Sequence, residues 1–379
     1  MATSQDRPYC MRSSKVLSIE TLMRHIVAIP SISGHEEKLA IYVARLCQAM
    51  GHEVFAINGS IAVRIKGEVS QRTLIYNGHL DTVPGDWPGA LELTARGDRL
   101  EGLGVTDMKG GLAVMLMKAQ AYRFTPPPCD IWLFFSKEEE TTAQGSIDLA
   151  AWWVQNFGGY YTFKAVLILE PTGNEYVAFG HKGGGVFRAT IRGAQHHGAT
   201  NLSGHFTAPK LACRLGVALE RVQTNWLKKS DSFGVATVNL TGLAGYSADN
   251  VVTGAVKVWV DIRTNTTLTG SRLDTLFAKL NKKFGTDFRI DNMRDAGVVQ
   301  SPSVEPLDHA FATSWPELQR SAFPAATDMN AFISQGLPVC IVGPGKTKAM
   351  HTEHEEIQRG AAEHCFTRLR GLATAFVYT

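Results

Sequence analysis

The chain has few cysteines, no long apolar run and little excess charge, and each absence excludes a class of protein. No C-x-x-C pair occurs, so neither a disulfide framework nor a thiolate zinc site is predicted. The scattered cysteines are typical of small buried hydrophobic residues in a reducing compartment. They are Cys10, Cys47, Cys129, Cys213, Cys340 and Cys365.

Membrane and nucleic-acid partners are not expected either. No apolar run approaches the roughly 20 residues that cross a bilayer, and Met1 to Val16 lacks the apolar stretch of a signal peptide. The net charge is only +3, without a Lys/Arg run interleaved with aromatic residues. We therefore predict a cytoplasmic, soluble protein that binds neither a membrane nor nucleic acid.

The chain itself is long and well supplied with core-forming residues. It has 379 residues, of which 44% are hydrophobic and 19% charged, so roughly two globular domains are expected. Near-continuous apolar runs are typical of strands buried on both faces. Because helical patterns lie between them, we predict an α/β domain with a mostly parallel central sheet flanked by helices. The runs are 74–76, 131–135, 165–169 and 339–342.

A segment in the middle of the chain follows a different pattern. Val186–Arg192 and Val256–Ile262 alternate apolar and polar residues, and helical spacing marks 208–228 and 272–284. The predicted order, β-α-β-β-α-β, is the ferredoxin-like arrangement. Gly183–Gly185 precedes it and Asp295–Ser303 follows it, and both junctions are expected to bend. We predict a catalytic domain (1–183 and 297–379) with an inserted lid and dimerisation domain (184–296).

Each apolar run of the larger domain is followed by a potential metal ligand or base. Sites in open α/β sheets form beyond the carboxyl ends of strands, and Asp107 is framed by glycines that allow close approach. Taken singly, each residue could be a polar strand end; together they favour a metal site. The residues are His79 with Asp81, Asp107, Glu139 with Glu140, Glu170 and His351.

Two histidines and three carboxylates are too many ligands for one tetrahedral zinc that keeps an open position. They suit two metals, roughly 3.5–4 Å apart, that share a bridging carboxylate. One glutamate must then stay unligated to move the proton. H-E-x-x-H is absent, and the spacing of His351 and His354 fits no single-zinc pattern.

The motifs resemble those of the co-catalytic zinc family of acetylornithine deacetylase, succinyl-diaminopimelate desuccinylase, aminoacylase and glutamate carboxypeptidase. They occur in order over about 270 residues. They are Gly78-His79-Leu80-Asp81-Thr82-Val83-Pro84, Gly104-Val105-Thr106-Asp107-Met108-Lys109-Gly110-Gly111, Glu139-Glu140, Glu170-Pro171-Thr172 and Met350-His351-Thr352.

The resemblance implies a role for each residue of the site. His79 and Glu170 would bind one zinc ion, Glu140 and His351 the other, and Asp107 both. Asp81 would orient His79, and Glu139 would deprotonate the bridging water and protonate the leaving amine. Cobalt or manganese could replace zinc in such a ligand set. The resemblance also implies a homodimer formed through the inserted domain.

Four further residues are carried over as substrate-binding candidates. His197 resembles the lid histidine that reaches across a dimer to the oxyanion, and Asn250 and Arg263 resemble groups that hold the substrate carboxylate. Gly345, in the glycine loop before His351, joins this set. The alternative readings are that Arg263 is a solvated charge at a strand end and that His197 or His196 is a turn residue.

The chain departs from the family pattern at the triple glutamate. Glu138 stands where an aspartate is usual, which leaves the register of Glu138–Glu140 open. Gly145 lies five residues past Glu140, which is the family spacing and favours Glu139 as the base. Leu103 and Val105 flank Gly104 where polar or small residues are more usual.

We predict hydrolysis of the amide bond of a small N-acyl amino acid. The motifs around Gly345 and Asp328 are closer to the acetylornithine and acetyl-lysine deacetylase branch, which includes relatives that act on carrier-protein-bound amino acids. Alternatives are a succinyl-diaminopimelate desuccinylase, a dipeptidase or carboxypeptidase, and an inactive binding homologue. A phosphoesterase is disfavoured, because no Arg/Lys clamp for phosphate accompanies the motifs.

Overall fold

The protein is described by a computed structural model over residues 16–200, 207–268, 270–284, 289–295, 298–302 and 305–378, with backbone alone at 70, 270 and 289–295. Cys10 and the rest of 1–15 lie outside the described residues, so the expected lack of a signal peptide stays a prediction. The predicted junction 295–303 lies partly outside them. Phe288, where we predict the last strand of the middle segment (288–290) to begin, lies wholly outside them. Among described residues, no helix is long and apolar enough to cross a membrane.

Helices are interspersed with strands along the chain, as the sequence pattern predicts. The helices are α1 (Ile19–Val27), α2 (Glu37–Ala49), α3 (Gly110–Ala121), α4 (Gln144–Asn156), α5 (Ala208–Trp226), α6 (Gly270–Phe284), α7 (Glu305–Ser314), α8 (Met329–Ile333) and α9 (Arg359–Val377). The strands are β1 (Glu53–Ile57), β2 (Ser60–Ile65), β3 (Val69–His79), β4 (Thr94–Arg96), β5 (Arg99–Glu101), β6 (Cys129–Ser136), β7 (Phe163–Ile168), β8 (Tyr176–His181), β9 (Gly184–Arg192), β10 (His196–His197), β11 (Ser230–Asp231), β12 (Gly234–Val235), β13 (Thr237–Ala244), β14 (Val251–Val252), β15 (Ala255–Arg263), β16 (Arg289–Asp295), β17 (Val299–Gln300), β18 (Gln319–Phe323), β19 (Val339–Ile341) and β20 (Glu356–Gln358).

The chain divides into two compact units. Unit 1 comprises Met1–Tyr176, Ser303–Leu318 and Ser334–Thr379, and unit 2 comprises Val177–Pro302 and Gln319–Ile333. The lid and dimerisation roles assigned to 184–296 stay predictions, as do the domain boundaries drawn from the sequence.

Unit 1 contains the predicted mostly parallel sheet. Its strands follow the order β1-β2-β6-β3-β7-β19. β3 runs parallel to β6 and β7, and β19 runs parallel to β7, whereas β1 and β2 join antiparallel. Every residue of β6 is buried, which explains its near-continuous apolar run. The parallel strands therefore bring their carboxyl ends to one edge of the sheet.

Unit 2 contains a four-stranded antiparallel sheet of order β13-β15-β9-β16. Because α5 follows β9 and α6 follows β15, the chain order is the predicted β-α-β-β-α-β. Alternate residues of β15, such as Val258 and Val260, are buried in one core with Leu215 and Leu219 of α5.

Two of the three glycines before this segment, where the sequence indicates that the chain could bend, are part of the unit 2 sheet. Gly184 and Gly185 already belong to β9 and pair with Arg263 and Ile262 of β15. A Cβ at Gly184, whose φ is +134°, would lie 1.9 Å from the backbone oxygen of Ile262. Glycine is needed there because the neighbouring strand approaches too closely for a side chain.

Most of the described cysteines are buried, as expected from the sequence. The free cysteines Cys47, Cys129, Cys340 and Cys365 are buried, whereas Cys213 on α5 is exposed.

Lys118 on α3 is fully buried, and its Nζ lies 4.4 Å from the centre of the Tyr76 ring. Lys118 Nζ has no hydrogen-bond partner among the described residues.

Candidate metal centre

The predicted ligands meet at the edge of the unit 1 sheet where the parallel strands end. His79 is the last residue of β3, Glu139 and Glu140 follow β6, and Glu170 follows β7. His351 lies beyond the glycine loop after β19. Asp107 lies in the turn Val105–Lys109, whose Asp107–Met108 peptide bond is cis.

His79, Asp107 and Glu170 form a buried triad. Each offers one ligand atom, and these atoms lie within 4.8 Å of one another. His79 Nε2 is 3.0 Å from Asp107 Oδ1 and 3.6 Å from Glu170 Oε1. Such spacing is what a shared metal ion requires of its ligands before it binds.

A second triad is formed by Asp107, Glu140 and His351. His351 Nε2 is 3.1 Å from Asp107 Oδ2 and 2.9 Å from Glu140 Oε1. The two oxygens of Asp107 therefore each face a different histidine. This is the arrangement that a carboxylate bridging two metal ions needs.

Glu139 lies beside both triads and shares a third cluster with His79 and Glu140. Its neighbour Glu138 is engaged elsewhere, because Lys137 Nζ and Thr142 Oγ1 donate to its carboxylate. The structure thus brings Glu139 and Glu140 to the cluster, in the register that the position of Gly145 favours.

Position 145 requires glycine for a steric reason. A Cβ there would lie 2.4 Å from the backbone nitrogen of Lys137 and 2.5 Å from its oxygen. The start of α4 therefore presses directly on the backbone that leads into the glutamates. Only glycine allows this approach.

Asp81 does more than orient His79. His79 Nδ1 is 2.9 Å from the backbone oxygen of Asp81 and 3.4 Å from its carboxylate Oδ1. A carbonyl oxygen can only accept, so the neutral ring carries its proton on Nδ1 and turns the Nε2 lone pair toward Asp107 and Glu170. The Asp81 carboxylate also accepts hydrogen bonds from the backbone N–H groups of Glu139 and Glu140.

The charges of the cluster favour a bound cation. Burial, and then the nearby Asp107 carboxylate, raise the pKa of Glu170 well above its usual value. Hydrogen bonds that the His351 ring donates to the carboxylates of Asp107 and Glu140 raise the pKa of His351 to about 11. In both cases nearby carboxylates contribute to the pKa shift: they disfavour a further negative charge on Glu170 and favour a positive charge on His351.

The donor set fits two divalent metal ions. Glu170 Oε2 is buried and has no hydrogen-bond partner among the described residues, so one carboxylate oxygen is held for something other than protein. Imidazole and carboxylate are ligands that zinc, cobalt and manganese accept. His79 and Glu170 could hold one ion, Glu140 and His351 the other, and Asp107 both.

Sequence reasoning missed Glu355, which joins two of the ligand loops. This side chain is 2% exposed. Its Oε1 accepts from the N–H of His351 at 3.1 Å, and its Oε2 accepts from the N–H of Thr106 at 3.4 Å. Burial, and then the charge of Asp107, raise the pKa of Glu355 to about 7. In the sequence it is one of several glutamates after His351, and nothing in their spacing singles it out.

The substrate-binding candidates of unit 2 are only partly grouped. His197 in β10 pairs with Val251 in β14, which places Asn250 Nδ2 3.3 Å from His197 Nε2. Arg263 instead donates to both carboxylate oxygens of Asp261, at 3.0 and 2.9 Å. It is therefore neither an isolated charge nor a ready anion site, and the substrate roles of all three residues stay predictions.

Gly345 belongs to unit 1 and has a left-handed backbone, with φ +86°. A Cβ there would come within 3.3 Å of Thr106 Cγ2, beside Asp107. This glycine lets the loop before His351 approach the Asp107 turn. Its substrate role also stays a prediction.

The chain resembles known proteins in both sequence and fold. The model of peptidase family M20/M25/M40 matches residues 75–375. A probable carboxypeptidase of Aspergillus terreus is 25% identical over 93% of this chain and 85% of its own. A succinyl-diaminopimelate desuccinylase of Methylibium petroleiphilum is 26% identical over 71% of this chain and 74% of its own. A dinuclear metal-binding peptidase of Bacillus subtilis, YXEP, shares the fold with a TM-score of 0.61 at 13% identity, over 95% of this chain and 98% of its own.

Proposed function

The chain belongs to peptidase family M20/M25/M40, and from this premise we propose that it hydrolyses the amide bond of a small N-acyl amino acid. The substrate would resemble acetylornithine or acetyl-lysine, and the products would be a free amino acid and a carboxylate. One observation carries the proposal: the Asp107 oxygens each face one histidine, and Glu139 lies next to them.

Two divalent ions, zinc or in its place cobalt or manganese, would supply Lewis-acid activation of the amide carbonyl and of a water molecule. His79, Asp107, Glu140, Glu170 and His351 would hold them. Glu139 accepts the proton of the attacking water and returns it to the leaving nitrogen. The side chain of Glu139 is 5% exposed, so the proton it carries is kept from bulk water.

Unit 2 would supply the contacts that recognise the substrate. His197 would donate to the oxyanion, and Asn250 and Arg263 would hold the free carboxylate. Arg263 would have to exchange its two hydrogen bonds to Asp261 for the substrate. Such an exchange keeps the same kind of hydrogen bonds, because both partners are carboxylates that match the guanidinium fork.

A second candidate is a carboxypeptidase or dipeptidase. The fungal relative that covers 93% of this chain is named a probable carboxypeptidase, and a second relative is a desuccinylase. All of these reactions open an amide close to a free carboxylate. They differ in the group on the other side of the scissile bond: acetyl, succinyl, an amino acid or a carrier-bound chain.

A hydrolysis screen separates these activities. The protein, loaded in turn with zinc, cobalt and manganese, is incubated with N-acetyl-ornithine, N-acetyl-lysine, N-succinyl-diaminopimelate and a set of dipeptides. We expect amine release from the acetyl substrates. Faster release from dipeptides would favour the second candidate, and no release from any of them would indicate a binding homologue.

His351→Ala is expected to bind one metal ion per chain instead of two. The change removes one of the three ligands of the second triad and none of the first. Metal content after dialysis, measured by inductively coupled plasma mass spectrometry, checks this. The exposed His354→Ala is the matched control and should keep both ions. Two ions bound to His351→Ala would remove His351 from the ligand set.

We also propose that the protein forms a homodimer through unit 2. β13 lies at one end of the strand order of its sheet. Two of its apolar side chains are exposed, Leu240 at 37% and Leu243 at 49%. An apolar strand at a sheet edge is a common site of pairing with a second chain.

Leu243→Lys should therefore yield a monomer in sedimentation equilibrium where the wild-type protein is a dimer. A lysine on an edge strand opposes pairing. Val217→Lys, which alters an exposed apolar residue of α5, tests whether the helix takes part as well. A dimer of unchanged affinity in Leu243→Lys would show that β13 is not at the interface.

A further inference from the structure

Three consecutive backbone N–H groups at the triple glutamate are held by two buried carboxylates. The N–H of Glu138 donates to Glu36 Oε1 at 3.0 Å. The N–H groups of Glu139 and Glu140 donate to Asp81 Oδ1 and Oδ2, each at 3.0 Å. The segment that carries the proposed base is thus fixed through its backbone.

Both carboxylates are anchored to the same turn, residues 31–36. Ser33 Oγ donates to Asp81 Oδ2 at 2.7 Å, and the N–H of Gly34 donates to Glu36 Oε1 at 2.9 Å. The N–H of Thr82, next to Asp81, donates to the backbone oxygen of Ser31 at 2.9 Å. The turn therefore connects the end of β3 with the segment after β6.

The segment after β6 needs such external acceptors. Glu138 has a left-handed backbone, with φ +54°, which is uncommon for a residue with a side chain. Its own carbonyl accepts from the N–H groups of Thr142 and Ala143, at 3.0 and 2.7 Å. The three N–H groups point the other way, and a buried N–H without an acceptor is costly.

Among the described residues, the Glu36 side chain contacts this segment through the backbone of Glu138. The side chain is 4% exposed, and its hydrogen bonds join Gly34 to Glu138. Asp81, in contrast, contacts His79 and holds the backbone of the ligand Glu140 as well. A change at Glu36 can therefore alter the direction of Glu139 while Asp81 still holds Glu140.

We propose that Glu36 is a positioning residue for Glu139, acting through the backbone of Glu138. The inference rests on the proposed function for the role of Glu139 as the base. Within the described part of the chain, the hydrogen bonds of the Glu36 side chain reach Gly34 and Glu138 and no residue of either triad. Its carboxylate sets where the base points, so its loss lowers the rate of the chemical step and leaves the affinities for metal and substrate intact.

Glu36→Ala is expected to lower kcat by about 10²-fold, the effect of a misplacement of roughly 1 Å at a reacting group. KM should stay within about twofold, because the loss concerns the chemical step. Both metal ions should remain bound. Glu36→Gln should recover most of the rate, because its amide oxygen still accepts from both N–H groups. Glu37→Ala, at the exposed neighbouring position, is the control and should match the wild-type protein.

Hydrogen–deuterium exchange gives a readout that does not depend on activity. The peptide covering Glu138–Glu140 should exchange faster in Glu36→Ala, less so in Glu36→Gln, and at the wild-type rate in Glu37→Ala. If the exchange changes as expected but the wild-type protein hydrolyses no amide, the anchoring holds and the proposed function fails.

Three results would overturn the positioning role. They are unchanged exchange in Glu36→Ala, wild-type kcat in that variant, or a fall in kcat that follows a fall in metal content. Should Glu36→Ala not fold, the comparison passes to Glu36→Asp, whose shorter side chain draws the acceptor oxygen away from the N–H of Glu138. A wild-type kcat and a wild-type exchange pattern in Glu36→Asp would then overturn the positioning role.

Discussion

Glu139→Gln is expected to bind two metal ions and to lose about 10³-fold or more in kcat, within the range for general acid–base groups. The amide has the size of the carboxylate but cannot take a proton from water. Metal binding should persist, because neither triad that shares Asp107 contains Glu139. The variant therefore separates the proton-transfer role from the ligand role.

The measurement pairs steady-state kinetics on the best substrate of the screen with metal analysis. Glu138→Gln is the matched control, since its side chain bonds to Lys137 and Thr142 away from the triads. It should stay within a few-fold of the wild-type rate. Wild-type turnover in Glu139→Gln would transfer the role of the base to another residue, and loss of one ion would make Glu139 a ligand.

Lys118→Met is expected to raise the free energy of unfolding by an amount on the order of a few kcal/mol at pH 7. Burial removes the Lys118 amine from water and lowers its pKa to about 7, and Nζ has no hydrogen-bond partner within the described part of the chain. The Tyr76 ring, 4.4 Å from Nζ, compensates only part of the lost hydration. Methionine has nearly the same length and carries no charge.

The gain in unfolding free energy of Lys118→Met should decrease as the pH rises above 7. Below pH 7 the folded protein carries mostly the charged amine, and nearly the full destabilisation is present. Between pH 7 and the usual lysine pKa of about 10.4, the unfolded chain binds more protons, so the wild-type protein becomes more stable as the pH rises. The advantage of Lys118→Met should shrink over this interval.

Urea unfolding at pH 6.5 and pH 9.5 checks both statements. The exposed Lys38→Met on α2 serves as the control and should change the unfolding free energy by no more than about 0.5 kcal/mol. A variant that is less stable than the wild-type protein at pH 6.5 would mean that the buried amine is satisfied in the folded state. If the gain in unfolding free energy of Lys118→Met instead grew with pH, the predicted direction of its pH dependence would be wrong.

Much of the candidate metal centre could be predicted, because its residues follow strands. The apolar run before His79 marks β3, and the runs before Glu139 and Glu170 mark β6 and β7. Parallel strands then carry these side chains to one edge, whatever the loops do. Periodicity likewise predicted the order of elements in unit 2.

The supporting residues could not be predicted, because they act through backbone atoms of distant segments. Glu36 is 102 residues from the Glu138 amide that it binds, and Glu355 is 249 residues from that of Thr106. No periodicity marks a carboxylate that accepts from a backbone N–H. The function of Gly184 was missed for a similar reason: its neighbour, Ile262, is remote in the sequence.

The two triads differ in their place along the chain. His79, Asp107 and Glu170 all precede unit 2, and their strands β3 and β7 pair directly. The second triad needs His351, which follows β19. Because a chain is made from its amino end, the first triad is complete once Glu170 has been added, whereas the second stays incomplete until His351 follows. The two proposed ion sites would therefore be completed at different stages of synthesis.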